Sequence, residues 1–154
     1  MLNLIHLIYV STATREFSKE DLLQLLDQSR AKNARLGLTG MLLYTENNFF
    51  QVLEGETAVV NELFQTISQD ERHMKTVTII REPIAKRSFG EWTMGFAAVT
   101  SADLQHLTGL NDFFGEGSSF AQLSTGRAKK LLNAFKEGRW RSKLNAPALE
   151  LVTQ

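Results

Sequence analysis

A single amide interrupts a short apolar run near the middle of the chain. The run reads FFQVL from Phe49 to Leu53, directly after two asparagines that signal a turn. Strand side chains alternate between two faces, so Gln51 shares a face with Phe49 and Leu53. Both faces of this run are apolar, which predicts that Gln51 is buried. A buried amide left without partners costs about 1–3 kcal/mol, so Gln51 requires hydrogen-bonding groups from elsewhere in the protein.

Several hydrogen-bonding or polarisable side chains, Gln51 among them, lie on strand and helix faces that are predicted to point into one helix–sheet layer. These residues are Tyr9, Ser11, Ser29, Asn33, Gln51, Trp92 and Met94. Taken singly, most of them have an ordinary structural explanation. Tyr9 could be a core tyrosine with its hydroxyl at the surface, Met94 a packing residue, and Trp92 a residue of the core or of an interface. Together they fit a planar ligand with a polar edge and an apolar body.

Periodicity predicts the elements that position these residues. Ser18 and Asp21 resemble a capping box that opens the first helix, and Gly37 is placed to end it. The strands are predicted at 3–11, 38–46, 49–53, 75–84 and 91–99, and the second helix at 57–70. On the last strand, Trp92 and Met94 are predicted to share a face. The order β-α-β-β-α-β-β predicts an α+β, ferredoxin-like sandwich with two helices on one face of a sheet.

The sequence beyond residue 99 predicts a different kind of segment. We divide the chain into a ligand-binding domain, 1–99, and a helical extension, 100–154, within one globular unit. The extension has a helix predicted at 125–138, and its apolar residues include Leu104, Leu107, Leu110, Phe113, Phe114, Phe120, Leu131, Leu132, Phe135 and Trp140. So much apolar surface predicts that C-terminal helices pack across the open face of the sheet.

Composition excludes several classes of function. The 154 residues contain 17 Lys and Arg against 17 Asp and Glu. The net charge is therefore balanced and does not indicate a nucleic-acid-binding protein. No cysteine is present, which excludes disulfides and thiolate chemistry, and three scattered histidines do not indicate a metal site. No apolar run approaches the ~18 residues of a membrane span, and no leader peptide is visible. We expect a cytoplasmic protein without membrane association.

The ordered motifs resemble the BLUF family, which senses blue light with a flavin. The resemblance covers residues 2–98 and rests on Tyr9 and Ser11 in LIYVS, Asn33 before LGLTGMLLY, Gln51 in FFQVLEGE, DERH at 70–73 and WTM at 92–94. The family fold is the ferredoxin-like sandwich already expected.

The resemblance implies a cofactor, FAD, with FMN or riboflavin possible. The implied flavin-binding residues are Tyr9, Ser29, Asn33, Phe49, Gln51, Arg72, His73 and Met94. Light would drive electron and proton transfer from Tyr9 toward the flavin and rearrange the hydrogen bonds of Gln51, by rotation or tautomerisation. Ser11, Trp92 and Met94 would take part in this photocycle. Arg30 and Lys32 are further candidates for contacting phosphates.

The predicted output is protein–protein signalling rather than catalysis. No cyclase, phosphodiesterase or DNA-binding domain is recognisable, so the signal would pass from strand five through the C-terminal helices to a separate partner or within a homo-oligomer.

Two alternatives remain open. An acylphosphatase-like enzyme shares the fold, but "STATREFS" after the first strand has no glycine for a phosphate loop. An interaction module without light response is the other alternative. Its support is the basic run Arg127, Lys129, Lys130, Lys136, Arg139, Arg141 and Lys143, which is more typical of a solvated face.

Overall fold

The computed structural model describes residues 3–107, 110, 113 and 120–137. The strands are β1 (Leu4–Ala13), β2 (Thr39–Thr45), β3 (Asn48–Glu56), β4 (His73–Pro83) and β5 (Gly95–Ala98). The helices are α1 (Lys19–Leu36), α2 (Thr57–Ser68), α3 (Ser101–Gln105) and α4 (Thr125–Lys136), with a 3-10 turn at Phe120–Gln122. No helix among these described residues has the length and hydropathy to cross a membrane.

Hydrogen bonds join the strands into one sheet in the order β4-β1-β3-β2-β5. The pairs β1–β3, β1–β4 and β2–β3 are antiparallel, and β5 runs parallel to β2. This arrangement confirms the predicted ferredoxin-like fold. β4 lies at one edge and ends at Pro83, where the missing N–H disturbs no ladder to a further strand.

Local signals place α1 as predicted. The Ser18 side chain accepts from the backbone N–H of Asp21, and the Asp21 carboxylate accepts from that of Ser18, so the capping box is complete. At the other end, Gly37 adopts a left-handed φ of 71°, which glycine reaches without a Cβ penalty. These caps fix the length of the helix that carries Ser29 and Asn33.

Strand alternation gives the sheet two buried faces. On the first, which we call the helix face, Tyr9 and Leu53 pack beneath Leu26 of α1 and Leu63 of α2. On the second, which we call the tail face, Ile8, Val10, Phe50 and Val52 belong to one buried cluster with residues of the C-terminal elements. Those tail residues are Leu104, Leu107, Leu110, Phe113, Phe120, Leu123, Ala128, Leu131, Leu132, Ala134 and Phe135. The prediction that C-terminal helices cover the open face is therefore confirmed.

The prediction that Trp92 and Met94 share a face of one strand is wrong. The strand begins only at Gly95, and the residues before it form a turn in which the N–H of Trp92 donates to the carbonyl of Phe89 at 2.9 Å. Trp92 packs on the tail face, stacked on Phe89 and edge-on to Phe135. Met94 lies in the helix-face cluster. Alternation cannot be counted through a segment that is not extended.

Several predicted features lie outside the described residues. They are the helix end at Gly138, Phe114 and Trp140 of the apolar set, and Arg139, Arg141 and Lys143 of the basic run. Within the described part, α4 ends at Lys136 with Glu137 as its C-cap.

Candidate functional site

A cavity opens between α1, α2 and the helix face of the sheet. It encloses about 160 Å³, against the ~10–15 Å³ that one buried water needs, so it has room for an organic ligand. Its lining combines apolar walls with a polar edge: Tyr9, Phe17, Leu25, Gln28, Ser29, Lys32, Asn33, Leu42, Phe49, Gln51, Leu53, Leu63, Thr66, Ile67, Asp70, Arg72 and His73.

Tyr9 and Gln51 are hydrogen-bonded to each other at the floor of this cavity. They are directly opposite residues of β1 and β3, and both are buried. The phenol O–H of Tyr9 donates to Oε1 of Gln51. Burial raises the pKa of Tyr9, and the nearby Asp70 carboxylate raises it further, so Tyr9 remains a neutral donor.

The other end of the Gln51 amide points to the segment before β5. Its Nε2 donates to the Met94 sulfur at 3.5 Å, and a thioether is a weak acceptor. Among the described residues, the Gln51 amide therefore has one strong partner, Tyr9, and one weak partner, Met94. A ligand carbonyl or ring nitrogen in the cavity would be a better acceptor for this N–H than sulfur.

Two side chains of α1 fix the backbone of the same segment. Nδ2 of Asn33 donates to the carbonyl of Thr93 at 2.6 Å, and Nε of Arg30 donates to the carbonyl of Met94 at 3.0 Å. Asn33 is buried and lines the cavity, so its amide faces both the ligand space and this backbone. The segment that carries Met94 is therefore tied to α1 as well as to Gln51.

A histidine closes another part of the cavity wall. His73 begins β4, and its Nδ1 lies 2.7 Å from the Ser11 hydroxyl, while its Nε2 bonds to the carbonyl of Ile67 at the end of α2. The imidazole ring is tilted against Tyr9, with 6.4 Å between ring centroids.

The rim of the cavity carries an ion pair. Nε and Nη2 of Arg72 donate to the Asp70 carboxylate, and Nη1 donates to Oε1 of Gln28 at 3.1 Å. The Arg72 hydrogen bonds lower the pKa of Asp70. Lys32 is a cavity-lining cation on α1, and the described residues show no carboxylate paired with it.

The cavity brings together seven of the eight residues predicted to bind the cofactor: Tyr9, Ser29, Asn33, Phe49, Gln51, Arg72 and His73. Met94, the eighth, contacts Gln51 instead of lining the cavity. Lys32 lines it, whereas Arg30 reaches the Met94 backbone. Ser11 does not line the cavity but contacts His73. Trp92 lies on the opposite face of the sheet. Gln28 and Thr66 were not anticipated; Gln28 and Lys32 are four residues apart on α1, a spacing that places them on one helix face.

A family model described as sensors of blue light using FAD matches residues 4–95. The chain belongs to the BLUF family. It is 36% identical over 121 residues to a photoactivated adenylate cyclase subunit beta from Euglena longa, and 34% identical over 121 residues to the corresponding subunit from Euglena gracilis. Each match covers 77% of this chain and 14% of the relative, so the chain spans about one seventh of these relatives' length.

Solved BLUF structures have the same fold. The dark-state structure of the BLUF protein BlrB superposes with a TM-score of 0.73 at 32% identity, covering 90% of this chain and 98% of BlrB. The ground state of BlsA gives 0.74 at 29% identity, over 86% and 87% of the two chains. Klebsiella pneumoniae BlrP1 gives 0.61 at 32% identity, covering 90% of this chain and 36% of BlrP1. Family membership confirms that this domain is a flavin-binding blue-light sensor and not an enzyme.

The cavity fits the flavin that the BLUF family uses. Its apolar walls suit a planar aromatic ring, and the amides of Gln51 and Asn33 suit the polar edge of that ring. The decisive observation is the Gln51 N–H, which is buried and opposite only a sulfur atom among the described residues. A flavin carbonyl would satisfy this donor.

Proposed function

We propose that this BLUF domain senses blue light through a hydrogen-bond relay from Tyr9 to Gln51 at the wall of the flavin pocket. The observation that carries the proposal is the direct hydrogen bond between these two buried side chains. Tyr9 supplies a neutral phenol, and Gln51 supplies an amide able both to accept from Tyr9 and to donate into the pocket.

Neutral Tyr9 is suited to give up an electron and a proton together. When bound, a flavin supplies the absorption of blue light and an excited state that accepts an electron. The Tyr9 proton has one route in the described structure, through the Oε1 of Gln51. After the charge returns, Gln51 is left in a different hydrogen-bonding state, by rotation or by tautomerisation. Either change strengthens its hydrogen bond to the pocket side, which shifts the absorption to the red.

Met94 connects this change to the tail face. The Gln51 N–H loses its contact with the Met94 sulfur when the amide rearranges, so the segment before β5 is released on one side. Two residues earlier, Trp92 packs edge-on against Phe135 of α4, with 5.4 Å between ring centroids. We infer that movement of residues 92–95 alters how α4 packs against the sheet. A separate protein partner or a second subunit would bind differently to the altered surface.

We expect the pocket to bind FAD, FMN and riboflavin with dissociation constants within about tenfold of one another. Arg72 is already neutralised by Asp70, which leaves Lys32 as the one unpaired cation among the described lining residues. A single solvated lysine adds little attraction for phosphate groups, and tenfold corresponds to about 1.4 kcal/mol. The dissociation constants are measured by titrating flavin-free protein with each flavin and monitoring the quenching of flavin fluorescence. A hundredfold preference for FAD would show that charges at the rim attract phosphate groups strongly, and failure to take up any flavin would contradict the proposed function.

A reversible absorption change tests the proposed function itself. Protein saturated with FAD is illuminated with blue light and then left in darkness. A red shift of the flavin band that decays in the dark supports the proposal. A flavin-bound protein whose spectrum does not respond to light would indicate a different role for the flavin.

A further inference from the structure

The Ser11–His73 pair stands beside the relay without belonging to it. Ser11 is buried and lies two residues after Tyr9, on the same face of β1. His73 faces the pocket on one side and the Ser11 hydroxyl on the other. Ser11 itself does not line the pocket, so contact with a flavin does not account for its buried hydroxyl.

Its hydrogen bonds define the tautomer of His73. A backbone carbonyl only accepts, so Nε2, which faces the Ile67 carbonyl, carries the hydrogen. In a neutral imidazole the other nitrogen is then an acceptor, and the Ser11 O–H donates to Nδ1 over 2.7 Å. Both ring nitrogens are therefore engaged, and the ring plane is fixed by β1 on one side and α2 on the other.

This fixed ring supports Tyr9. The Tyr9 ring contacts two aromatic neighbours, Phe64 at 5.3 Å and His73 at 6.4 Å between centroids, both tilted by nearly 60°. His73 also meets Phe49 edge-on at 6.5 Å. If the imidazole turned, Tyr9 would lose one of these two supports, and the direction of its O–H toward Gln51 would no longer be set.

We propose that Ser11 is a positioning residue of the light reaction, which holds His73 as the Nε2–H tautomer so that His73 keeps the Tyr9 phenol aligned on Gln51. This inference rests on the proposed function. It assigns to Ser11 a task that depends on its hydroxyl and not on its volume.

Valine and threonine at position 11 provide the test, because they have nearly the same shape and differ in the hydroxyl. We expect Ser11→Val to lower the initial rate of red-shifted product formation about tenfold, within the ~10²-fold that a 1 Å misplacement can cost. Ser11→Thr should restore the rate to within about twofold of the wild type. Thr12→Val, on the opposite face of the same strand, should leave the rate unchanged.

Nitrogen NMR of histidine-labelled protein reports the tautomer directly. In the dark protein, the His73 resonances, assigned by their loss in His73→Gln, should show a protonated Nε2 and an unprotonated Nδ1. Ser11→Val should shift the Nδ1 resonance, and Ser11→Thr should not. Equal rates for the valine and threonine variants, or a His73 tautomer with hydrogen on Nδ1, would overturn the inference.

Different results would contradict the proposed function and the role of Ser11. If the wild type binds no flavin or shows no red shift, the proposed function is wrong. If the wild type responds normally and both position-11 variants match it, only the role of Ser11 is wrong. Should the valine variant bind flavin poorly, Ser11→Ala, which introduces no extra methyl group, repeats the comparison against threonine.

Discussion

Replacing Gln51 by leucine should abolish the light-induced red shift while flavin still binds. Leucine keeps similar bulk between Phe49 and Leu53 but removes the acceptor for the Tyr9 O–H and the N–H that donates to the Met94 sulfur. The buried phenol is left without its partner, at a cost of about 1–3 kcal/mol. Absorption spectra of the FAD-loaded variant, before and after blue light, measure the result. Tyr9→Phe, which removes the other half of the hydrogen bond, should also lose the normal red shift.

Gln28→Leu is the matched control for Gln51→Leu. Gln28 lines the same pocket and undergoes the same chemical change, but its Oε1 accepts from Arg72 at the rim and takes no part in the relay. Its red shift should be of normal size. A normal shift in Gln51→Leu, with flavin bound, would show that the relay does not pass through this amide.

The alternation of short apolar runs predicted the floor of the pocket well. Tyr9 and Gln51 could be placed on one face because β1 and β3 are regular where these residues lie, and a regular strand has a side-chain period of two. The cover of the tail face was also predictable, since a sheet with helices on one face leaves apolar residues such as Ile8 and Phe50 exposed.

The segment before β5 could not be predicted in the same way. Alternation predicts a strand from position 91, yet tertiary contacts hold the residues before Gly95 in a turn. Gly95 explains why: a Cβ there would lie 2.6 Å from the Trp92 ring, so this indole folds back onto the glycine. Glu54, fully buried, accepts from the N–H groups of Ser88 and Phe89 and thereby anchors the approach to this turn. Such contacts join residues far apart in sequence.

The pairing of Ser11 with His73 had no local signal either. Both residues were identified singly, but 62 positions separate them, and their contact depends on the register between β1 and β4. That register contains two irregularities, one of them between Val10 and Thr12. Lys75, near the second, has a positive φ of 55°, and no glycine marks the position in the sequence. A bulge of this kind cannot be recognised from one amino-acid sequence alone.

Truncating Phe135 to alanine should lower the free energy of unfolding by about 3–5 kcal/mol. Phe135 is 2% exposed and sits at the centre of the contact between α4 and the turn before β5. It meets Phe89 and Trp92 edge-on, at 5.7 and 5.4 Å between ring centroids. Removing the ring leaves a cavity that the two aromatic neighbours, fixed by Gly95 and Glu54, fill only in part. Urea denaturation of the protein, saturated with FAD in every sample because bound ligand adds stability, measures the change.

Asn133→Ala, on the exposed side of the same helix, is the control for Phe135→Ala and should change stability by less than about 0.5 kcal/mol. Phe135→Ala should also weaken any difference in proteolysis of α4 between light and dark, because the proposed route from the pocket to that helix passes through its contact with Trp92. Truncation after Thr100 removes every tail residue of the cluster, so it should expose the tail face and cause aggregation or altered assembly. A truncated protein that stays monodisperse and unchanged in assembly would show that the sheet does not need this cover, and the proposed output through α4 would fail with it.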